Sequence, residues 1–189
     1  MKLDQRLPSS TLDKAITNAQ VALASPKPVN TKSTPQFVII IDEALAGVPK
    51  TSGPSQAALS MFQQLDALGF RIVDPALVRV GGSKDPGDLA RAAANTYSAP
   101  FSVIGTATSS QAVASLYGTA MKSIHATVSA SVVRNETPEV IAAGSESVAK
   151  AHISEAQGSI MAVREAAARL SRSLGKQLQR SKQFRANMK

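Results

Sequence analysis

The sequence predicts an α/β (α+β) fold, a mixed β-sheet with a long antiparallel hairpin that is packed by about three helices and preceded by an N-terminal arm. Two patterns predict it. The apolar run FVIII at residues 37–41 is followed by a helical stripe and by a second strand-like segment, FRIV at residues 70–73, which is typical of a β–α–β unit. Ten strictly alternating polar and apolar residues from Ser123 to Val132 then predict a half-exposed antiparallel strand.

Length and composition limit the class of protein. The chain has 189 residues, which is about one domain's worth. Its 43% hydrophobic and 18% charged content indicates a globular protein. It has no cysteine, which excludes a disulfide scaffold and any thiolate metal or redox site. The longest apolar runs are far shorter than a membrane-spanning helix requires.

The N-terminal segment, residues 1–35, is predicted to be an arm. Ser10 or Thr11 could cap a short helix, and the proline-containing stretch 25–36 predicts an extended linker. The first 25 residues contain no apolar core of the kind that a secretory signal peptide requires. We therefore divide the chain into this arm, an α/β domain at residues 36–175 and a basic tail at residues 176–189.

The first half of the domain is predicted as strand, helix and strand. The continuous apolar run at 37–41 predicts a strand that is buried on both faces. A helix follows from Ser55, and Gly69 ends it before a strand at residues 70–73. The apolar stripe of this helix consists of Ala58, Phe62, Leu65 and Leu68. If the two strands are parallel neighbours, their crossover should be right-handed.

The second half adds a short helix, three strands and a long helix. We expect a helix at residues 86–94, a strand at 101–108, and a hairpin whose turn at residues 135–138 joins the alternating strand to a partner at 139–147. Ser154 with Gln157 three residues later forms a capping box that opens the longest helix. The apolar stripe of that helix is Ala156, Ile160, Val163, Ala167, Leu170 and Leu174.

Asp42 and Glu43, which follow the first apolar run, invite comparison with nucleotide hydrolases. In those enzymes such acids hold Mg²⁺ and activate water, and a glycine-rich loop ending in Lys-Ser or Lys-Thr holds the phosphates. The one candidate for that loop ends at Lys50-Thr51, and it has Ala44 and Pro49 where glycines are required. We therefore interpret the acids as residues of the loop that follows a buried strand.

Other candidate sites are weak. The segments Gly53–Ser55 and Gly81–Lys84 could each bind an anion through backbone amides, although ordinary turn chemistry explains both equally well. His125 and His152 lack the partner residues of a zinc signature, and the sequence contains no G-x-S-x-G motif. We therefore predict no catalytic residue, no metal ligand and no cofactor, and we expect that the protein is not an enzyme.

The positive charge lies at one end of the chain. The net charge is 21 basic minus 13 acidic residues, or +8, but residues 1–165 carry 14 minus 13, or +1. The candidate binding residues are the seven bases that follow Glu165, namely Arg169, Arg172, Lys176, Arg180, Lys182, Arg185 and Lys189. This basic end could be simply solvated, meet an acidic protein or an anionic membrane surface, or bind nucleic acid, with Phe184 available for stacking.

Several segments resemble a known family of domains. These segments are FVIIIDE, LDALGFRIVDPALV, FSVIGTATSS, SIHATVSASVVRNETPEVIAAGSESV and AHISEAQGSIMAVREAAARL, within about residues 36–175. Together they resemble the α/β domain shared by the TolB N-terminal domain, the curli-secretion lipoproteins, the penicillin-binding-protein activator lipoproteins and the middle domain of flagellar assembly protein T. The resemblance implies a non-enzymatic envelope protein that builds rings or bridges machines across the periplasm, and it implies no catalytic residues.

The sequence thus predicts a structural or assembly subunit of a multi-protein bacterial envelope machine, such as a flagellar, secretion or similar ring. Its expected partners are other subunits, including copies of itself. We expect a periplasmic or envelope-associated location if a signal was trimmed, and a cytoplasmic one otherwise. One alternative is a module that binds nucleic acid or an anionic surface through the basic end. Another is a small-molecule sensor, which predicts an apolar pocket at the strand ends.

Overall fold

The computed structural model describes residues 36–50, 53–78, 85–113, 120–137, 139–181 and 184. The predicted arm at residues 1–35 lies outside these described residues, as do the glycine-rich loop at 81–84 and the bases Lys182, Arg185 and Lys189.

Within the described residues five strands form one mixed sheet, as the sequence predicts. The strands are β1 (Gln36–Ala44), β2 (Arg71–Ile72), β3 (Phe101–Val113), β4 (Lys122–Arg134) and β5 (Glu139–His152). Their order in the sheet is β2-β1-β3-β4-β5. β1 is parallel to both β2 and β3, whereas β3, β4 and β5 are antiparallel neighbours. The predicted β–α–β unit and the long hairpin are both present, and β3 and β5 extend several residues beyond their predicted ends.

In the described part of the chain three helices pack on this sheet, and each begins at a side chain that caps it. The helices are α1 (Gln56–Ala67), α2 (Pro86–Tyr97) and α3 (Glu155–Arg180). Ser55 Oγ accepts a hydrogen bond from the backbone N–H of Ala58, and Asp85 accepts one from Gly87. Ser154 is the N-cap of α3 and accepts from the backbone N–H of Gln157, which confirms the predicted start of that helix.

The helices divide the interior into a large and a small core. Phe37, Ile39 and Ile41 of β1 point into the large core, which α1 and α3 cover. Val38, between them, points to the opposite face and belongs to the small core with Ala93 of α2. This confirms that the run FVIII forms a strand buried on both faces, because successive side chains of a strand alternate between its two sides.

Helix α3 is buried over a wider face than its predicted stripe. Val163, Ala167, Leu170 and Leu174 are buried as expected. Small residues beside the stripe are buried as well, including Gly158, Ser159, Ala162, Ala166, Ser171 and Gly175. They are buried because α3 packs on the sheet and also against α1. A Cβ atom at Gly175 would lie 2.6 Å from Leu68 Cδ1, so a larger side chain would require the Leu68 side chain to move.

The last described residues, up to Arg180 and at Phe184, contribute side chains to the core. Leu178 is buried and α3 continues to Arg180, so the predicted tail boundary at residue 176 lies inside the helix. Phe184 is 1% exposed. Its ring centroid lies 5.5–5.8 Å from those of Phe37, Phe70 and Phe101. The expectation that Phe184 is available to stack on bases is therefore wrong, because burial with three other aromatic rings stabilises it in the interior.

Candidate functional site

A cleft of about 530 Å³, here called the strand-end cleft, lies where β1 ends and α1 begins. Its lining mixes apolar side chains, such as Leu45 and Ile160, with the charged groups of Asp42, Glu43 and Lys50. This composition differs from the apolar pocket that the sensor hypothesis predicts. Asp42 and Glu43 lie at the end of β1 itself. The interpretation of these acids as residues of the loop after the strand is therefore wrong.

Glu43 occupies the amides at the N-terminus of α1. One carboxylate oxygen accepts from the backbone N–H of Gln56 at 3.1 Å and the other from Ala57 at 2.9 Å. The next amide, that of Ala58, donates to Ser55 Oγ. The negative charge that a helix N-terminus favours is thus supplied by the protein itself. An anion at the Gly53–Ser55 segment would have to displace this carboxylate.

The other polar groups around the cleft also have structural partners. Lys50 Nζ lies 2.9 Å from Asp42 Oδ1 in an exposed ion pair. The backbone of Ala46 is fixed on two sides, since its N–H donates to Ser109 Oγ and its carbonyl oxygen accepts from Ser159 Oγ, both at 2.9 Å. These contacts join the loop after β1 to β3 and α3. Asp42 thus forms a surface ion pair with Lys50, and Glu43 caps the N-terminus of α1.

A second surface is the uncovered side of the antiparallel strands, which we call the open face. Helix α2 packs on β1 and β3. Beyond it, the open face consists of Thr106, Thr108, Ser110, Ser123, His125, Thr127, Ser129, Ser131, Ala143, Ser145, Ser147, Ala149 and Ala151, which are exposed or half-buried. Apart from the imidazole of His125, these side chains are small, and they include no acidic residue, lysine or arginine. Hydroxyl pairs cross the strands, with 2.8 Å between Thr127 Oγ1 and Ser147 Oγ.

The open face ends at β5, the last strand of the sheet. Among the described residues, β5 pairs only with β4, along 14 residues that contain no proline. The pairing is regular except for one irregularity at Val132/Val133. At the start of the free side, Gln177 Nε2 donates to the carbonyl oxygen of Ala143 at 3.4 Å. A long, regular edge strand of this kind can pair with another chain.

A third surface is the exposed side of α3, here called the basic helix face. It carries Arg169, Arg172, Lys176 and Arg180, whose spacing of three and four residues places them on one side of the helix. The structure thus brings together four of the seven predicted binding residues. The other three, Lys182, Arg185 and Lys189, lie outside the described residues, so their position is not tested.

Glu165 forms an ion-pair cluster where α3 passes over β5. Its carboxylate contacts Lys150 Nζ of β5, and Arg169 Nη2 lies 2.5 Å from its other oxygen. The hydrogen bond from Lys150, followed by that from Arg169, holds the pKa of Glu165 below its usual range. Lys150 is therefore linked to the helix above the strand.

The histidines have no metal-binding partners in the described part of the chain, which contains no cluster of three potential ligands. His152 Nδ1 accepts from the backbone N–H of Ser154 at 2.9 Å and so helps to position the start of α3. His125 is exposed on the open face. No helix within the described ranges is long and apolar enough to cross a membrane.

Comparisons with known proteins give structural similarities only. No protein-family model and no curated protein matches the sequence. A minor lipoprotein from Acinetobacter baumannii is similar at 10% identity with a TM-score of 0.47, over 76% of this chain and 92% of that chain. Lipoprotein GNA1162 from Neisseria meningitidis is similar at 13% identity with a TM-score of 0.43, over 71% of this chain and 96% of that chain.

A third similar structure is the PelC dodecamer from Paraburkholderia phytofirmans, at 12% identity with a TM-score of 0.42, over 80% of this chain and 94% of that chain. The similar structures thus include bacterial lipoproteins, in part as the sequence resemblance implies. At these TM-scores and identities they carry no argument about function, and membership of the families named from the sequence motifs stays a prediction.

Proposed function

We propose that the protein is a non-enzymatic structural or assembly subunit that acts through protein–protein contacts. The observation that carries this proposal is the open face together with the free edge of β5. Among the residues that the structure describes, one side of the sheet is closed by α1 and α3, whereas the other is closed only over β1 and β3 by α2.

The open face shares one property with the cores of protein interfaces, since it contains no acidic residue, lysine or arginine. Charged groups are expensive to remove from water, and the cores of protein interfaces are depleted of them. The hydroxyls of Thr127 and Ser147, and those of Ser129 and Ser145, already bond to each other at 2.8 Å. Covering these groups with a partner therefore leaves fewer polar atoms without a hydrogen bond.

The proposed setting is the envelope of a bacterium, within a flagellar, secretion or similar ring-like machine. The support for this setting is the set of sequence motifs in residues 36–175, from FVIIIDE to the start of α3. The same proposal includes a location in the periplasm or at the envelope. It requires that a targeting signal act on the chain before the protein reaches its site.

The test is the mass of the native assembly after gentle extraction from the source cell. The proposal expects a complex far above the 19.7 kDa of one chain. Ser129→Arg, which places a charge in the middle of the open face, should reduce incorporation into the complex. Gln63→Arg adds the same charge at an exposed position of α1 and should leave incorporation unchanged. A 19.7 kDa monomer in the native extract would contradict the proposal.

A second candidate function, binding of nucleic acid or an anionic surface, is favoured by the basic helix face. Such binding would be electrostatic and sensitive to salt, because buried Phe184 cannot stack on a base. Deleting residues 171–189 is an unsuitable test, since it removes buried Leu174, Leu178 and Phe184.

The suitable test of this second candidate is charge neutralisation. Replacing Arg172 and Lys176 by Gln should abolish binding to unspecific DNA or to anionic vesicles at about 50 mM salt. Arg91→Gln, on the exposed side of α2, is the matched control. If the unmodified protein binds neither DNA nor anionic vesicles at this salt concentration, the second candidate function is excluded.

A further inference from the structure

The free edge of β5 has features that select a partner. Its odd-numbered residues from Ala143 to Ala151 lie on the open face. Its even-numbered residues from Ala142 to His152 face α3, and two of them are charged at neutral pH, namely Glu146 and Lys150. Their cross-strand partners on β4 are the buried residues Val128 and Ile124, which places both charges on the helix side.

Self-pairing of β5 about a two-fold axis matches these charges. In an antiparallel pair centred on Val148, the numbers of opposite residues add to 296. Glu146 then lies opposite Lys150 of the second copy, and this attraction occurs twice. Opposite charges at directly facing positions stabilise an antiparallel pair, and like charges destabilise it. On the open face, the same register places serines opposite alanines, Ser147 opposite Ala149 and Ser145 opposite Ala151.

Other two-fold registers lack this match. An axis at Glu146 places two glutamates opposite each other, and an axis at Lys150 does the same with two lysines. Axes at Ser147 or Ala149 place no charge opposite a charge. Within the described residues no ion pair of Glu146 is found. Its carboxylate is therefore available for a contact between copies.

Residues 144–152 of each copy can pair in this register. The segment begins just after Ala143, whose carbonyl oxygen already accepts from Gln177, and it ends with the strand. Helix α3 runs antiparallel to β5 on the helix side, because Gly158 lies against His152 and Leu170 against Gly144. Met161, which is 50% exposed and one turn before Glu165, then lies on the side of α3 near the junction of the two copies.

We propose that two copies of this chain pair through the free edges of β5, antiparallel and centred on Val148, so that their sheets join into one ten-stranded sheet. This inference rests on the proposed function and names one partner for it, a second copy of the chain. The paired strands continue the open face across both copies and double its extent.

The first test measures the mass of the full chain by sedimentation equilibrium. The unmodified protein should reach twice 19.7 kDa in a concentration-dependent way. Glu146→Lys should raise the dimer dissociation constant roughly tenfold, because two attractive charge pairs become repulsive. Adding Lys150→Glu restores the opposite charges between the copies, although it also removes the ion pair with Glu165 within each copy, and should lower the constant again from its value in Glu146→Lys. Glu136→Lys makes the same change in the exposed hairpin turn and should have no effect.

The second test is site-specific cross-linking in a chain that contains no cysteine. Val148 is buried on the helix side of its own copy. Val148→Cys should nevertheless form a disulfide-linked dimer under mild oxidation, since the two facing Cβ atoms in this register are about 4.5–5.5 Å apart and need to approach by only roughly 1 Å to form the bond. Ser110→Cys, on β3 and two strands away from the edge, should stay monomeric under the same conditions.

The outcomes separate this inference from the proposed function. A dimer that is insensitive to Glu146→Lys and does not cross-link at Val148→Cys overturns the β5 pairing. A monomer in solution that still enters a large native complex also overturns it, with the proposed function intact, since an extended segment of another protein would then be the better occupant of the edge. A chain that neither dimerises nor enters a complex overturns both.

Discussion

The two faces of the sheet differ in how far helices cover them, and strand β4 contributes side chains to both faces. On the helix side, Ile124, Ala126, Val128, Ala130 and Val132 are all buried under α3. On the open face, the alternate residues are serine, threonine and histidine, and they are exposed or half-buried. Alternate residues of this one strand therefore form part of the closed core and part of the open face.

The two faces differ in how closely a helix packs against them. The helix side of β3 and β4 contains Gly105 and Ala130, and α3 approaches the sheet through Gly158, which lies against Ile124. The open face has equally small side chains, but none of the described helices packs on it over β4 and β5. Small residues thus serve close packing on one side, whereas on the other they form an exposed surface without acidic residues, lysine or arginine. The predictions below ask how far this contrast holds.

The largest effect is expected at Phe184, which closes the end of the helix side. Phe184→Ala should lower the free energy of unfolding by about 3–5 kcal/mol, because it leaves a cavity among three aromatic rings. Leu77→Ala, at a position that is 63% exposed, should change it by less than about 0.5 kcal/mol. Chemical denaturation measures both, and an effect of Phe184→Ala as small as the control would mean that the chain end does not belong to the core.

Phe184 also marks the limit of what the sequence could predict. The alternation in β4, the apolar run in β1 and the capping residue Ser154 are local signals, so the strands and the start of α3 were predictable. The burial of Phe184 depends on contacts with Phe37 and Phe101, which are far away in sequence. In a polar, basic segment a single phenylalanine has no periodic pattern that would indicate burial.

The candidate functional residues also fall into those that the sequence could predict and those that it could not. The basic residues from Arg169 to Arg180 were found from charge alone, and their helical spacing places them on one side of α3. The role of Glu43 was missed, because its carboxylate caps Gln56 and Ala57 from 13 and 14 residues away, a separation with no capping signature. The free edge of β5 was missed as well, since strand order is decided by tertiary packing.

The second prediction concerns the close approach of β3 and β4 on the helix side. A Cβ atom at Gly105 would lie 2.2 Å from the carbonyl oxygen of Ser129 and 2.9 Å from Ala130 Cα, both of which are backbone atoms. Gly105→Ala should therefore destabilise the protein by about 1–3 kcal/mol. Thr106→Ala, one residue along and exposed on the open face, should cost less than about 1 kcal/mol. Thermal unfolding of the two variants tests the contrast, and equal losses would contradict it.

A smaller effect is expected for the hydroxyl pairs of the open face. A double-mutant cycle with Thr127→Ala and Ser147→Ala should give a coupling of about 0.2–1 kcal/mol, the usual size for facing polar residues on a sheet. Thr106→Ala combined with Ser147→Ala should show no coupling, since these residues lie on strands that are not neighbours. A Thr127–Ser147 coupling above about 2 kcal/mol would mean that the face is buried in the folded protein.

The smallest effect is expected at the ion pairs of Glu165, on the edge where the helix side meets β5. Lys150, and then Arg169, hold the pKa of this carboxyl group below its usual range in the folded protein. A group with a lowered folded-state pKa stabilises the fold above its unfolded-state pKa, and this contribution is lost as the pH falls through the folded-state pKa. The stability difference between the unmodified protein and Glu165→Gln should therefore be present at neutral pH and disappear in acid. Denaturation at several pH values and two salt concentrations measures it, and because the pair is exposed, the difference should shrink at high salt. A difference that grows as the pH falls would contradict the lowered pKa.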